Sequence, residues 1–444
     1  MNNSNVTATK SDIPHGDKRP FFYGWVIVFA AGLAGFLTTG LGGFAHGILL
    51  PHLADDFAGG SRGQISLAIS LAAVCVAIAG PFVGRHADRN SPRRVMLAGA
   101  CLLALSYILL ASSTALWHVF VALSLIYALA VTMAGPLVRS IFVTRWFTRL
   151  RGRALGLSAM GTSIAGISLP VLVSGMVSEY GWRITVCGFA VAVALILVPA
   201  VALLLRDKPE DMGLLPDGNR PAASDATARD QERTIGSDPA WTWSAMLRSK
   251  ALWAIGLTFG PMVCVYIIVM VHLFGHTVES GLNNTQAAMI LSAFAFATAI
   301  SKPVIGLMAD VMGARITLWS TLIAQAFALA AFTFADSVST FMLAAMIHGF
   351  GFAALASMRP FALAKAFGVR SLGSALGLLS WIELPFTAIA SPLAGFVFDV
   401  TGSYDSAFLV FAGFLLVGCI GPFLLRSELR NDPVPATARQ RGGF

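Results

Sequence analysis

The sequence predicts an all-α membrane protein: twelve transmembrane helices in two pseudo-symmetric six-helix bundles. Three observations predict it. Of the 444 residues, 56% are apolar and 12% charged, whereas soluble domains carry about 25% charged residues. A water-soluble chain of this size could not hide so much apolar surface, so lipid must be the solvent for most of it. Apolar runs recur along the chain, each long enough to supply the ~20 helical residues that cross a hydrocarbon core. Finally, blocks of residues in the first half return in the second at a nearly constant offset.

In chain order the runs lie near 22–50, 64–84, 94–112, 116–144, 153–178, 182–205, 249–275, 284–308, 314–335, 339–364, 371–398 and 404–425. The polar tail at 1–21 has no apolar core leading to a small-residue cleavage site, so no cleaved signal peptide is expected. Residues 22–206 then form one bundle and 248–426 the other. Between them, 207–247 is rich in Asp, Arg, Pro, Ala and Thr and reads as a flexible cytoplasmic linker. A cytoplasmic tail at 427–444 follows.

Charge sets the orientation. The net charge of +8 invites a nucleic-acid reading, which its distribution removes. One side carries only Arg62 and Arg183, and Arg139, Lys302 and Arg359 lie within helices. Every other Lys and Arg falls in the tails, the linker and the loops on the linker's side. The opposite loops carry Asp55, Asp56, Glu179, Glu279, Asp336, Asp399 and Asp405. By the positive-inside rule both termini are cytoplasmic, in a multi-pass protein of the inner membrane. The five cysteines lie in apolar stretches without a Cys-x-x-Cys pair, so neither a disulfide framework nor zinc is implied. His272 and His276 are one helical turn apart but have no third ligand in the pattern, and read as helix-contact residues. No cofactor, metal or obligate protein partner is expected. The chain lacks nucleophile elbows, phosphate loops and paired catalytic carboxylates, so it is not read as an enzyme.

The repeat gives the halves their meaning. Gly80-Pro81-Phe82-Val83-Gly84 with Asp88 returns as Lys302-Pro303-Val304-Ile305-Gly306 with Asp310. Arg139, Arg145 and Phe147 return as Arg359, Lys365 and Phe367, and Ala154-Leu155-Gly156-Leu157 as Ala375-Leu376-Gly377-Leu378. Two similar bundles meeting near the bilayer midplane form a substrate site about which they can rock.

Gly84-Arg85-His86-Ala87-Asp88-Arg89 followed by Pro92-Arg93-Arg94, with a weaker copy from Gly306 through Asp310 to Arg315, resembles the loop signature of the major facilitator superfamily. Ser91 stands where that family usually has glycine. The resemblance implies a gate in which Gly84 and Gly306 let helices approach. Asp88 and Asp310 would pair with basic residues such as Arg89 and Arg93. Further stretches resemble the monocarboxylate transporter and oxalate–formate exchanger branch: Tyr23-Gly24-Trp25, Arg145-Trp146-Phe147, Gly181-Trp182-Arg183, Lys208-Pro209-Glu210-Asp211-Met212-Gly213 and Phe398-Asp399-Val400-Thr401-Gly402. What this branch implies is secondary active transport of a small organic carboxylate.

Ionisable residues at membrane depth cost about 2.5–3.5 kcal/mol each on insertion scales, so they usually have a reason. Lys302 replaces the Gly80 of the other half inside an otherwise matching block. A scaffold feature should recur in both halves, whereas a ligand contact need not. The resembled branch binds the substrate carboxylate with a basic residue here, usually arginine. The alternative is a structural ion pair with Glu383, or a side chain that snorkels. Arg139 and Arg359 do recur, which favours gate or scaffold pairs with Asp88 and Asp310 over lining the anion path. Arg139 is the better substrate candidate, because Pro360 breaks the ladder beside Arg359. His46 stands where animal monocarboxylate carriers place a proton-accepting lysine, and an imidazole can take that role. Thr298 stands where those carriers place an aspartate. Glu383 is unmatched too, with Thr162 opposite it; it is either a proton carrier or the counter-ion of Lys302. The combined expectation is proton-coupled uptake of a small monocarboxylate. The rivals are an organic-anion exchanger or proton-driven exporter of the same fold, then a membrane sensor without transport.

Overall fold

The computed structural model of the chain describes residues 21–57, 59, 62–218, 241–401 and 404–425; apart from Phe21, the two terminal tails lie outside them. The first bundle begins with α1, which runs Gly24–Gly35, widens into a π-type turn at Phe36–Gly40 and resumes as Leu41–Phe57. It continues through α2 (Arg62–Arg89), α3 (Pro92–Ala111) and α4 (Leu116–Trp146). Helices α5 (151–180) and α6 (182–204) follow without a loop, because Gly181 adopts φ 78°, ψ 162° and reverses the chain in a single residue. That positive φ is open to glycine at little cost. The second bundle contains α7 (Lys250–Glu279), α8 (Asn284–Met312), α9 (Ala314–Thr333), α10 (Val338–Phe367), α11 (Leu372–Thr401) and α12 (Tyr404–Leu424). By length and hydropathy 10 stretches qualify as spans. The stretch Arg151–Leu204 holds both α5 and α6, and the first half of α1 stands as the shorter apolar segment Gly24–Thr39. Twelve helices result.

Helix starts follow local chemistry. Ser91, the departure from the family glycine, caps α3 by accepting from the Arg94 amide at 3.3 Å, with Pro92 as the first helical residue. In α4, Gly135 takes an extended conformation (φ −91°, ψ −151°) and Pro136 starts a second helical segment, whose first turn carries Arg139. Helix α10 runs through Pro360 and breaks instead at Ala353. Pro360 has no N–H and so removes one rung of the ladder beside Arg359, but the helix continues through it.

The bundles meet along two helix pairs, α2 with α11 and α5 with α8. Glycines permit this approach: a Cβ at Gly84 would collide with the Gly373 carbonyl, and one at Gly306 with that of Gly152. Beside each glycine crossing the signature aspartate reaches the other bundle. Asp88 accepts from the amides of Gly373 (2.8 Å) and Ser374 (2.7 Å) at the start of α11. Asp310 accepts from those of Gly152 (2.8 Å) and Arg153 (3.0 Å) at the start of α5. Each carboxylate thus caps a helix N-terminus across the interface, where unpaired amides and the helix dipole favour negative charge. Both caps lie at the linker end.

The linker differs from expectation near its start. Residues 209–212 form a tight turn, and Asp217 accepts from the amides of Thr148, Arg149 and Leu150, bracing the loop between α4 and α5. Residues 219–240 lie outside the described ones. Above this brace the motifs that resemble the monocarboxylate branch pack on one another. Phe22 and Tyr23 lie against Trp146 (ring centroids 6.0 and 5.7 Å), Trp25 lies against Phe147 (5.0 Å), and Trp146 donates to the Arg206 carbonyl. They tie α1, α4 and α6 together.

Candidate functional site

Lys302 sits about two-thirds of the way along α8 on the side facing α5 and is 5% exposed. Its Nζ donates to the Ala159 carbonyl (3.1 Å), Thr162 Oγ1 (2.8 Å) and Ser163 Oγ (2.7 Å). Among the described residues no carboxylate lies within 4.0 Å of it. The expected counter-ion is elsewhere: Glu383 pairs with Arg359 at 3.1 Å. Lys302 is therefore held by two hydroxyls and a carbonyl, and the Lys302–Glu383 pair is corrected. Its cause is geometric, since α8 packs on α5 while Glu383 rides on α11, which packs on α2.

Arg139 projects from the first turn after the Gly135 break and is 6% exposed. Its guanidinium fills the space beside Gly35 of α1, where a Cβ would collide with it and would lie 3.2 Å from the Thr162 methyl. One of its terminal nitrogens has no hydrogen-bond partner. It shares Thr162 with Lys302: Oγ1 accepts from Nζ, and the methyl lies at the same Gly35 face that the guanidinium fills. The structure thus brings together Gly35, Arg139, Thr162, Ser163 and Lys302, from α1, α4, α5 and α8. Sequence reasoning named only the two cations. Gly35 gave no signal, and Thr162 gave one only as the counterpart of Glu383.

Neither arginine pairs with a signature aspartate, as the repeat had suggested. Asp88 and Asp310 are occupied by backbone amides, joined at Asp310 by Arg153 Nε at 3.6 Å. Nor do Arg89 and Arg93 join the gate. Arg89 is exposed, and Arg93 turns back to its own bundle, where its side chain bonds the Ala202 carbonyl and its amide bonds Asp207. Of the expected gate set, Gly84, Asp88, Gly306 and Asp310 lie on the interface.

Outward of Lys302, Thr298 bonds the carbonyls of Phe294 (2.8 Å) and Gly349 (3.3 Å), knitting α8 to α10. His348 stacks on Phe294 at 5.6 Å, is fully buried, and has no partner on either ring nitrogen. His46 falls within Leu41–Phe57, but its side chain lies outside the described residues.

The family follows from comparison with known proteins. The model of the Major Facilitator Superfamily matches residues 32–283 and 274–443. The chain belongs to the Major Facilitator Superfamily. Among curated superfamily relatives, Monocarboxylate transporter 13 of Rattus norvegicus is 26% identical over 408 residues, covering 89% of this chain and 87% of the relative. Among solved structures, the human organic anion transporter MFSD10 superposes with a TM-score of 0.70 at 16% identity, over 90% of this chain and 99% of that one. The proton:xylose symporter XylE gives 0.70 at 12%, over 91% and 96%. These structures establish the fold shared across the superfamily. Within that fold the Arg139–Lys302 cluster lies on the α5–α8 seam, where one bundle meets the other.

Proposed function

We propose that this superfamily member is a secondary transporter that carries a small organic monocarboxylate together with a proton by alternating access. One observation carries the reading: two buried basic groups, Arg139 and Lys302, converge on Thr162 across the bundle interface, and among the described residues no carboxylate lies within 4.0 Å of either. Buried charge without a partner costs several kcal/mol. A carboxylate is the ligand that offsets it, with one acceptor oxygen for the free Arg139 nitrogen and one for the ammonium. Similarity to a protein named as a monocarboxylate transporter supports the same class.

In this reading both termini are cytoplasmic in the inner membrane, and the Asp88 and Asp310 caps close the cytoplasmic side. The anion enters from outside. Once bound, it partners the buried basic groups, the caps release the starts of α11 and α5, and the bundles rock to the inward state. A monoanion entering a cell at about −150 mV would face roughly 3.5 kcal/mol of opposing potential, whereas anion plus proton is electrically neutral.

The test is uptake into proteoliposomes of labelled acetate, L-lactate, chloroacetate and benzoate, with and without an inwardly directed proton gradient. At least one acid should accumulate with the gradient, and Lys302→Gln should abolish that uptake while unfolding at the temperature of the unaltered protein. Normal accumulation by Lys302→Gln would end the assignment.

A further inference from the structure

We propose that Lys302 is itself the proton carrier, so that one side chain anchors the anion and takes up the co-transported proton. The inference rests on the monocarboxylate reading above and assigns the proton within it.

The hydrogen-bond environment of Nζ suits both protonation states. It has three neighbours, and they differ. The Ala159 carbonyl can only accept. Thr162 Oγ1 already donates to that carbonyl at 2.7 Å, so towards Lys302 it accepts. Ser163 Oγ, at 2.7 Å, makes no other hydrogen bond among the described residues, and its hydrogen is free to turn. A neutral amine has two hydrogens and one lone pair. It gives its hydrogens to Ala159 and Thr162 and receives the Ser163 hydroxyl. An ammonium has three hydrogens: those on Ala159 and Thr162 stay, and the third points to the arriving carboxylate, to which Ser163 turns its own hydrogen. The switch needs no rearrangement beyond one hydroxyl.

The charges around it supply the drive. Arg139, from α4, is the charged side chain that shares Thr162 with Lys302. On α10, the helix packed on its other side, Arg359 is engaged by Glu383 of α11, and His348 stacks on Phe294. On α7, Tyr266 stacks on Phe352 at 4.2 Å. On α9, Arg315 lies over the ring of Trp319 at 4.3 Å. On α8 itself, Asp310 caps α5. An empty site therefore sets a guanidinium, which keeps its proton, against an amine that can yield one. When a carboxylate arrives the sign of the local field reverses. The amine lone pair takes a proton, the new ammonium pairs with the carboxylate, and the site gains one positive and one negative charge. After the bundles rock, the anion leaves and the proton follows it.

The test measures proton uptake by the purified full chain in weakly buffered detergent, using whichever of acetate, L-lactate, chloroacetate and benzoate the uptake assay selects. The unaltered protein should take up close to a proton per anion bound under alkaline conditions. Its affinity should fall about tenfold per pH unit there, as linkage to one proton requires. Lys302→Arg should bind the anion with little pH dependence and take up no proton, whereas Glu383→Gln should still take one up. Proton uptake by Lys302→Arg would overturn the inference. So would its loss in Glu383→Gln with binding intact, which would assign the proton to the glutamate. A pH-independent affinity in the unaltered protein would also overturn it, and that measurement needs no variant to fold. Unaltered anion binding by Lys302→Gln would instead remove the carboxylate reading beneath it.

Discussion

Arg139 and Arg359 hold the same place in the two bundles and meet different neighbours. Around Arg359 the guanidinium bonds Glu383, and the position across the interface on α2 of the first bundle is Gly80. Around Arg139 Thr162 replaces the glutamate and Lys302, reaching across from α8 of the second bundle, replaces the glycine, leaving two basic groups and, among the described residues, no acid within 4.0 Å of either. One frame has been used twice, once to close a charge account and once to leave it open. The difference teaches where to look for ligand chemistry in a repeated fold: at positions where the copies share geometry and disagree in charge.

The most direct way to break this comparison is to make the two sites alike. Thr162→Glu puts into the first bundle the carboxylate that the second already has, within reach of both Arg139 and Lys302. It should compete with substrate as a permanent internal anion. The expected loss of uptake is large, about 2–5 kcal/mol in apparent affinity, or thirtyfold and more. Thermal unfolding of the same protein should not fall. Uptake surviving in Thr162→Glu would mean that the anion binds elsewhere.

Opening the closed site is the converse. Glu383→Gln leaves the part-exposed Arg359 without its acid and should destabilise the second bundle by about 1.5–3 kcal/mol, the order for a hydrogen bond to a charged group. The double change Arg359→Met with Glu383→Leu should recover most of that loss, since a well-packed apolar pair often replaces a buried ion pair at little cost. Denaturation midpoints of the two variants decide it. Equal loss in both would mean that the pair has a role beyond neutralising itself.

A smaller effect separates the two gates. Asp88 and Asp310 cap partner helices in the same way, but Asp310 also has Arg153 Nε at 3.6 Å. Removing a helix cap costs about 0.5–2 kcal/mol. Either aspartate changed to alanine should therefore shift the population toward a linker end that is open, with Asp310→Ala shifting it slightly further. Spin labels at the exposed Arg89 and Arg370, one on each bundle, would read the separation. An unchanged distance distribution in both variants would show that the caps do not hold the gate.

Much of this was legible in the sequence for a physical reason. Helix length and hydropathy are set by the thickness of the bilayer, so the apolar runs mark the spans whatever they pack against. The repeat likewise exposed Lys302 and Glu383 as unmatched charges. Their partners were not legible. A buried charge pairs with whatever the neighbouring helix presents at its depth, and only packing reveals that α8 lies on α5 and α11 on α2. The signature aspartates illustrate the same limit. Sequence offers basic side chains as their partners, but the structure gives them the backbone amides of Gly373, Ser374, Gly152 and Arg153, which no side-chain pattern displays.

The smallest expected effect tests whether a departure from the family pattern is local. Ser91 falls in the tight connection between α2 and α3, where glycine is usual, and it accepts from the Arg94 amide as the cap of α3. Its backbone, at φ −74° and ψ 112°, lies in the extended region open to any residue, so glycine's freedom is not needed there. The serine therefore strains nothing and satisfies one amide. Ser91→Gly should lower stability by only a few tenths of a kcal/mol and Ser91→Ala by about 1 kcal/mol, the ordinary order for a helix cap. The second bundle offers the control: at its matching turn Gly313 has φ 89° and does need its freedom. Gly313→Ser should cost more than Ser91→Gly, and the reverse order in thermal unfolding would mean that the two turns are not used as the backbone indicates.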